Sequence, residues 1–444
     1  MSKLLIFKSE SESAWGSCKT ISKNLIQSYL ELGNEFEISW CPLSESLEDY
    51  LVHSKASLSL AIQKIRAKEF DKIIFIDHLP LPMSFIEYLY LECKELPEIV
   101  IHVYGDFTFF AEAWYNFFKK TSGELKISLV AASLAQKKML EFLFDGSIQV
   151  SQAIFPISEN FYFSAELREK GREKLKLNMD DELLIYTGRI SLQKNVHVLI
   201  EQFLNFISKN KITNKYFYIA GHFDGISSGD MRIQTYEGYL FAKIEKIISK
   251  FPLEYSCKVT LAGALNSEEL FELYNAGDCY VSLSLFHDED YGMAPAEALA
   301  CGQDVIMTDW GGYSSFRSNS SEKQWNVDFL SVAVGDLCHE IDLVPFYERL
   351  LKNNYKSYEA RERESLNFKE SFSISACRKM IKNIAEAKGP STGITFNNLR
   401  QYIQLAKFSL EKEGVNLSFL PIKNTFYSLM YGNYMNNGKL ENEK

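Results

Sequence analysis

Short apolar runs alternate with longer amphipathic stretches along the first part of the chain. The stretch from Ser17 to Leu32 predicts a helix that ends at Gly33. Apolar runs separated by helices are typical of a parallel sheet that is covered on both faces. The runs that predict strands are 4–7, 35–40, 72–77, 98–104 and 126–133.

The same alternation then begins again, which indicates a second domain of the same kind. A helix is predicted from Val196. The second set of predicted strands is 183–188, 216–221, 258–263, 279–284 and 304–309. Two such sets predict an α/β protein with two doubly wound, Rossmann-like domains facing a cleft.

Domain boundaries follow from the breaks in this pattern. Pro156 lies between the two sets of strands, and a KGPSTG linker stands at 388–393. We therefore predict a first Rossmann-like domain over 1–156, a second over 157–388, and an extension over 389–444. The extension contains a predicted helix from Phe396 to Lys412, followed by a polar tail.

Composition narrows the class of protein. The chain has 444 residues, 46% of them hydrophobic, and a formal net charge of −10, which argues against general nucleic-acid binding. The eight cysteines are scattered without a C-x-x-C pair, as expected for reduced cysteines of a cytoplasmic protein. No signal peptide and no apolar run of membrane-spanning length is visible. Peripheral association with the inner face of a membrane stays open.

Ligands bind at the carboxyl ends of the strands in open parallel sheets, so the residues that follow each strand matter most. Gly188 and Arg189 follow one predicted strand, and Lys194 comes five residues later, before the expected helix N-cap Asn195. Two cations at a strand end suit a diphosphate. The alternative is that both are solvated loop charges.

A second dense segment follows the strand at 279–284. Glu289 and Glu297 flank a glycine turn, Pro295 suits the first position of a new helix, and that helix should end at Gly302. Glu297 is then expected in the first turn. Carboxylates accept hydrogen bonds from sugar diols, and a helix N-terminus donates to phosphate. The alternatives are a macrodipole role for Glu297 and a solvated acidic loop for Glu289.

These elements together resemble glycosyltransferase family 4, the retaining family of GT-B fold within the glycosyl transferases group 1. The matching stretches, in the order and at the spacing of the family, are YTGRISLQKNVHVLIEQF, YIAGHFDG, VTLAGALNSEELFELYNAGDCYVSLS and EDYGMAPAEALACGQDVIMTDWGG. The resemblance is strongest over 183–316 and covers 1–160 only in outline.

The resemblance implies a role for each matching position. Arg189 and Lys194 would neutralise the donor diphosphate, Glu289 would contact the transferred sugar, and Glu297 would bind the ribose diol. It implies neither a metal nor a cofactor, and the sequence shows no Asp-x-Asp at a strand end. The other implied donor-binding residues are Gly16, Gly188, Leu265, Gly292, Met293 and Ala294.

The first domain departs from the family pattern. The loop after its first strand has a single glycine, Gly16, where the family has a glycine-rich loop, and Tyr104 stands where the family often has a histidine. His78, Tyr104 and Asp106 are the acceptor-side candidates, with a structural loop role as the alternative for each. The extension from Gly389 onward could cover the first domain, or form a surface for a second copy or another partner.

The predicted function is therefore a retaining, metal-independent hexosyltransferase. It would move sugar from a nucleotide-diphosphate sugar to a glycan, a lipid-linked glycan or another hydroxyl acceptor. The alternative is a catalytically silent GT-B protein that binds or scaffolds in a glycan-assembly complex. The sequence shows no clear signature of a nucleotide-sugar epimerase or a sugar phosphorylase. A nicotinamide enzyme is also disfavoured, because no G-x-G-x-x-G motif follows the first strand.

Overall fold

The chain folds into two compact units in a computed structural model. The first unit comprises Met1–Ser158 and Phe372–Ala406, and the second comprises Glu159–Ser371. The residues that the structure describes are 1–9, 16–43, 55–76, 81–104, 107–108, 110–121, 123–178, 180–223, 238–285, 289–317, 325–334, 339–352, 356–387, 389 and 392–413.

The first unit is built on a six-stranded parallel sheet of order β2-β1-β3-β4-β5-β6. Its strands are β1 (Ser2–Ser9), β2 (Phe36–Leu43), β3 (Lys72–Phe75), β4 (Glu98–Val103), β5 (Ile127–Ala131) and β6 (Gln149–Gln152). The connecting helices are α1 (Gly16–Leu30), α2 (Lys55–Arg66), α3 (Leu81–Cys93), α4 (Ala111–Thr121) and α5 (Leu134–Leu143). Every residue of β3 and β5 is buried, because helices cover a parallel sheet on both faces.

The second unit repeats this architecture with the strand order β12-β11-β10-β7-β8-β9. Its sheet strands are β7 (Glu182–Thr187), β8 (Lys215–Ala220), β9 (Val259–Gly263), β10 (Cys279–Ser282), β11 (Asp304–Thr308) and β12 (Val327–Leu330), all paired in parallel. A separate antiparallel pair is formed by β13 (Val332–Val334) and β14 (His339–Ile341).

The helices of the second unit connect these strands, and two further helices follow in the first unit. Those of the second unit are α6 (Ala165–Lys174), α7 (Val196–Asn210), α8 (Tyr239–Ile248), α9 (Leu253–Ser256), α10 (Ser267–Ala276), α11 (Met293–Ala300), α12 (Val344–Leu351) and α13 (Tyr358–Phe372). The two later helices are α14 (Ile374–Glu386) and α15 (Asn397–Glu413).

Ten predicted strands are present, each within a few residues of its predicted bounds, and the prediction of two doubly wound units is confirmed. The strands β6 and β12 were not predicted. The sequence of β6, QVSQ, has a single apolar residue, so it carries no hydrophobic signal. It forms because its backbone completes the free edge of β5.

Helix α14 packs against the first unit, although the second predicted domain extends to residue 388. The Cys377 thiol donates to the carbonyl of Ile154 at 3.0 Å, and Arg378 pairs with Glu35 at 2.5 Å. The buried Lys72 ammonium, at the start of β3, donates to the carbonyls of Ile384 and Ala387 at the end of α14. These buried contacts tie the helix to the amino-terminal sheet.

The described part of the extension also packs against the first unit. The backbone N–H groups of Asn397 and Asn398 donate to the carboxylate of Asp145, which caps the start of α15. Leu399 and Tyr402 of this helix are buried. The described residues of the extension therefore cover part of the first unit, and its use as a surface for a second copy or another partner stays a prediction.

Buried ion pairs hold the amino-terminal edge of the second sheet. Asp278, next to β10, accepts from Arg168 at 2.5 Å, from Arg172 at 3.0 Å and from the backbone N–H of Leu183 at 2.8 Å. Burial alone would raise the pKa of Asp278, but the neighbouring arginines and this N–H bring it below its ordinary value. The carboxylate is therefore ionised and fully engaged.

A second ionic cluster lies at the same edge, since its members begin neighbouring strands. Arg349 of α12 donates to Glu182 at 2.8 Å and also pairs with Asp304. Glu182 pairs in addition with Lys215, the first residue of β8. These ion pairs connect the amino-terminal ends of β7, β8 and β11 with α12.

No helix within the described residues is both long and apolar enough to cross a membrane. The cysteines that the structure describes form no disulfide.

Candidate functional site

The carboxyl end of β7 leads into the first predicted cationic segment. Gly188 has φ +134°, and the Tyr186 hydroxyl donates to the carbonyl of Arg189 at 2.8 Å. The end of β8 comes so close that a Cβ on Gly221 would lie 1.8 Å from the Gly188 carbonyl oxygen. Glycine is required here, and the close approach fixes where the backbone of Arg189 leaves the sheet.

Lys194 and Glu289 lie together at this edge, as expected for residues that follow neighbouring strands. Lys194 Nζ donates to Glu289 Oε2 at 2.5 Å, and the Ser284 hydroxyl donates to the same oxygen at 2.6 Å. Both charged side chains are largely buried, with exposed fractions of 14% and 10%. The site therefore holds an ammonium and a carboxylate in contact where most solvent is excluded.

Two hydrogen bonds to backbone carbonyls fasten the loops that carry this pair. The side-chain amide of Asn195 donates to the carbonyl of Leu283 at 3.0 Å, and the backbone N–H of Leu285 donates to the carbonyl of Gln193 at the same distance. Asn195 was predicted as the N-cap of α7, and it holds that position in the left-handed conformation. Its side chain bonds to the neighbouring loop instead of capping the helix.

Two glycines shape the loop between Glu289 and α11. The N–H of Gly312 donates to the carbonyl of Glu289 at 2.6 Å, and a Cβ at Gly312 would lie 2.2 Å from the carbonyl carbon of Asp290. Gly292 has φ +104°, and a Cβ there would lie 2.5 Å from the Tyr313 ring. Any side chain at Gly312 would push the Glu289 backbone out of place.

Helix α11 begins earlier than the sequence predicts. Gly292 is its N-cap and Met293 its first residue, so the prediction that Pro295 opens the helix is wrong by two residues. Glu297 consequently lies beyond the first turn, which corrects a second prediction. The left-handed backbone of Gly292 lets the helix start immediately after the turn. The N–H groups that open the helix belong to Met293 and Ala294, which are predicted donor contacts.

Glu297 lies on α11 with its carboxylate against the sheet. Its Oε2 accepts from the Tyr274 hydroxyl at 2.9 Å, and 8% of the residue is exposed. Burial raises the pKa of Glu297 to about 8, and the hydrogen bond from Tyr274 opposes that rise. A carboxyl group with such a pKa changes its charge near neutral pH.

The hydroxyl of Tyr274 also reaches β7. It lies 2.6 Å from Thr187 Oγ1, and Thr187 is the residue before Gly188. No sequence motif identifies Tyr274, Thr187 or Ser284. Each sits at a position that reads as ordinary helix or strand core, and only their burial as hydroxyl-bearing residues distinguishes them.

The other predicted positions are placed as follows. Leu265 follows β9 and lines a surface pocket with Tyr218 and Leu273. Gly16 is the first residue of α1, after β1. The Tyr104 side chain is buried in the first unit, with its hydroxyl 2.7 Å from Ser22 Oγ. His78 and Asp106 lie outside the described residues.

Among the residues that the structure describes, no group of three or more His, Cys, Asp or Glu side chains is arranged to hold a metal ion.

Comparison with known proteins identifies the family of this region. Residues 168–325 match the family model described as glycosyl transferases group 1. A curated relative, the uncharacterized glycosyltransferase MJ1607 of Methanocaldococcus jannaschii, is 26% identical over 163 residues, 37% of this chain. The match spans 36%, about a third, of the length of that relative. Residues 168–325 are thus a glycosyl transferases group 1 segment, and the predicted family resemblance is confirmed.

Solved structures extend the likeness to both units. HepE of Anabaena, in complex with UDP and glucose, aligns with a TM-score of 0.58 and 12% identity over 86% of this chain and 99% of its own. Sucrose-phosphate synthase of Thermosynechococcus elongatus aligns with a TM-score of 0.55 and 14% identity over 86% and 98%. At such identities the likeness concerns the fold, which is GT-B.

Proposed function

We propose that this protein is a glycosyltransferase that binds a nucleotide-diphosphate sugar in its second unit and transfers the sugar to a hydroxyl acceptor. The observation that carries the proposal is the buried contact of Lys194 with Glu289, at the carboxyl end of a sheet within a group 1 segment. Glu297 and the start of α11 follow it in the same loop-helix element. A phosphate-binding cation, an acceptor for sugar hydroxyls and an acceptor for ribose would thus be provided by the segments that follow two neighbouring strands, β7 and β10.

Each group has a role that follows from its chemistry. The ammonium of Lys194 has three donors, so it can bind a phosphate oxygen while it keeps its bond to Glu289. Arg189 is proposed to add a planar fork of donors for the diphosphate. Glu289, oriented by Lys194 and Ser284, accepts from hydroxyls of the sugar, and Glu297 accepts from the ribose diol. Leu265 is proposed to border the nucleobase.

The proposed reaction breaks the bond between the anomeric carbon and the β-phosphate oxygen, and the electron pair stays on the leaving diphosphate. The acceptor oxygen bonds to the anomeric carbon from the face that the diphosphate leaves, so configuration is retained. The acceptor proton passes to a phosphate oxygen. Lys194, Arg189 and the N–H groups at the start of α11 stabilise the charge that develops on the leaving group.

We propose that this site operates without a metal and on a hexose donor. The support is its cationic residues, which can offset the diphosphate charge. Transfer measured after treatment with EDTA should keep at least half of the untreated rate. A complete loss that is restored by Mg²⁺ or Mn²⁺ would reject the proposal of metal independence.

The acceptor is proposed to be a glycan, a lipid-linked glycan or another hydroxyl compound, with Tyr104 of the first unit as a candidate acceptor-side residue and Gly16 as a candidate donor contact. Association with the inner face of a membrane, and a partner bound through the extension, stay predictions of the sequence.

The proposal is tested with the purified full-length chain and a panel of uridine, guanosine and adenosine diphosphate sugars. Thermal stability and released nucleoside diphosphate are measured for each donor. One donor should raise the melting temperature and release its nucleotide slowly, and Lys194→Ala should lose both effects. Lys250→Ala, which removes an exposed ammonium that pairs with Glu201 at 3.3 Å, is the matched control and should behave as the unaltered protein.

A catalytically silent GT-B protein is the second candidate, because the loop after β1 has a single glycine, Gly16, where the family has several. Stabilisation by a donor without release of its nucleotide, in the presence of glycan acceptors, would favour it. The absence of any donor effect would contradict the nucleotide-sugar proposal altogether.

A further inference from the structure

The Glu297 carboxylate is held by a tyrosine from a neighbouring helix. Its Oε2 accepts from Tyr274, whose ring lies on α10, while the carboxylate itself belongs to α11. A carboxylate has about four lone-pair directions, so one bond from Tyr274 leaves acceptor capacity for two hydroxyl groups. The bond therefore selects an orientation of the carboxylate without saturating it.

Tyr274 can hold Glu297 firmly because it is itself fixed. Its side chain is fully buried, and the ring of Phe161 packs edge-on against it with centroids 5.7 Å apart. Its backbone carbonyl accepts from the Gln303 amide. A buried aromatic ring with such contacts has little rotational freedom, so its hydroxyl is presented at a constant position.

The hydroxyl protons of this group can be assigned in order. A tyrosine hydroxyl has one proton, and the ionised Glu297 carboxylate has none, so Tyr274 donates to Glu297. The Thr187 hydroxyl, 2.6 Å away, then donates to the Tyr274 oxygen. The chain Thr187–Tyr274–Glu297 thus connects the end of β7, which carries Gly188 and Arg189, to the carboxylate on α11.

We propose that Tyr274 is a positioning residue that orients Glu297 toward the ribose diol of the nucleotide donor; this inference rests on the proposed function. Neither the family match nor the sequence motifs assign a role to Tyr274. The hydroxyl does not touch the ligand in this proposal. It acts by fixing one carboxylate oxygen so that the remaining lone pairs point outward.

The same hydrogen bond favours the charged form of Glu297. Burial raises the pKa of this carboxyl to about 8, and Tyr274 lowers it toward its ordinary value. The ionisable groups that face it are Tyr274 from α10, Tyr280 from β10 and Cys301 at the end of its own helix. Removal of the Tyr274 hydroxyl should raise the pKa of Glu297 further and leave less carboxylate to accept from ribose at neutral pH.

The test compares binding of each nucleoside diphosphate with its 2′-deoxy counterpart by calorimetry, starting with UDP and 2′-deoxy-UDP. The preference for the ribonucleotide should fall about three- to tenfold in Tyr274→Phe, the usual net effect of losing one hydrogen bond. KM for the nucleotide sugar should rise while kcat changes less than twofold. The pH at which binding is half-maximal should also move upward.

A structural role alone would not produce this pattern. Tyr347→Phe is the matched control, since it removes a hydroxyl that donates to Gln202 at 2.7 Å elsewhere in the same unit. It should leave the ribose preference and the pH midpoint unchanged. In Glu297→Gln, the further change Tyr274→Phe should have no additional effect on the ribose preference, because the two residues act on the same contact.

Each outcome is decisive. An unchanged ribose preference and pH midpoint in folded Tyr274→Phe would overturn the positioning role while the proposed function stands. If Tyr274→Phe fails to fold, Thr187→Val is used instead. It should shift the ribose preference and the pH midpoint in the same direction by a smaller amount. The absence of any shift in Thr187→Val would overturn the inference. Failure of the unaltered protein to bind any nucleotide would reject the proposed function and this inference with it.

Discussion

The pKa values of two buried carboxyl groups, one at each end of the strands of the second sheet, are shifted in opposite directions. At the amino-terminal edge, Asp278 is surrounded by arginines, and its pKa is lowered despite burial. At the carboxyl edge, Glu297 is equally buried but contacts a tyrosine hydroxyl, and its pKa is raised. Burial of an acidic group therefore does not identify a site. What distinguishes the proposed binding edge is that Glu297 accepts from one tyrosine, whereas Asp278 accepts from two arginines and a backbone N–H.

The largest expected effect comes from breaking the amino-terminal edge. Asp278→Ala leaves Arg168 and Arg172 buried beside each other without their counterion. The free energy of unfolding should fall by about 3–5 kcal/mol, as for other buried ion pairs that lose one partner. Chemical denaturation of the full chain measures this loss.

The comparison for that variant is Glu201→Ala, which removes an exposed partner of Lys250. It should change the free energy of unfolding by less than about 1 kcal/mol. Equal effects of the two changes would mean that the buried cluster has no special part in stability.

The opposite sign is expected at the carboxyl edge. The pKa of Glu297 is raised from 4.5 to about 8, so the folded state binds a proton more tightly than the unfolded state. Stability is then lost as pH rises from about 4.5 toward about 8. Glu297→Gln has no such proton, so its stability relative to the unaltered protein should rise by a few kcal/mol as the pH increases from 5 to 8.

This gain should accompany a loss of function. The same Glu297→Gln variant should bind nucleotide donors at least tenfold more weakly, because an amide is a poorer acceptor than a carboxylate for a diol. Thermal unfolding at pH 5 and pH 8 measures the change in stability, and calorimetry of UDP binding measures the change in affinity. Parallel stability curves for the two proteins would contradict the assignment of this proton to Glu297.

A smaller effect is expected from Ser284→Ala, which removes one of the donors to Glu289 and leaves Lys194 in place. The kcat/KM for the nucleotide sugar should fall about three- to tenfold, the usual cost of one hydrogen bond. Ser249→Ala is the control, because that exposed hydroxyl bonds to a helix carbonyl in the same unit. Identical kinetics for both variants would show that Ser284 does not orient Glu289.

The sequence predicts the sheet more fully than the site. Apolar runs such as those of β7 and β8 predict strands directly, because the strands of a parallel sheet are buried on both faces. The start of α11 was predicted two residues late, since proline is common at the first helical position and the left-handed Gly292 is not visible in the sequence. A proline at the third position is equally compatible with a helix, because the backbone N–H that proline lacks would have no partner within the helix there either.

The partners of the site residues were harder to predict than the residues themselves. Lys194 and Glu289 each follow a strand, so their approach is expected from the topology of the sheet. The bond from Tyr274 to Glu297 joins two helices that are separated by β10 and its loop. The periodicity of apolar residues predicts helices and strands, but it does not predict the distance between side chains on different helices. A tyrosine in a helix is also commonly part of a core.

The return of α14 to the first unit has a consequence for the order of synthesis. The Glu159–Ser371 segment, which forms most of the second unit, has been translated once the ribosome passes Ser371. The first unit then still lacks the helix that buries Cys377 against Ile154. The unit that emerges first is therefore the one completed last. A gene fragment that ends at residue 158 encodes an incomplete domain, and a fragment for the first unit must also supply residues 372–406.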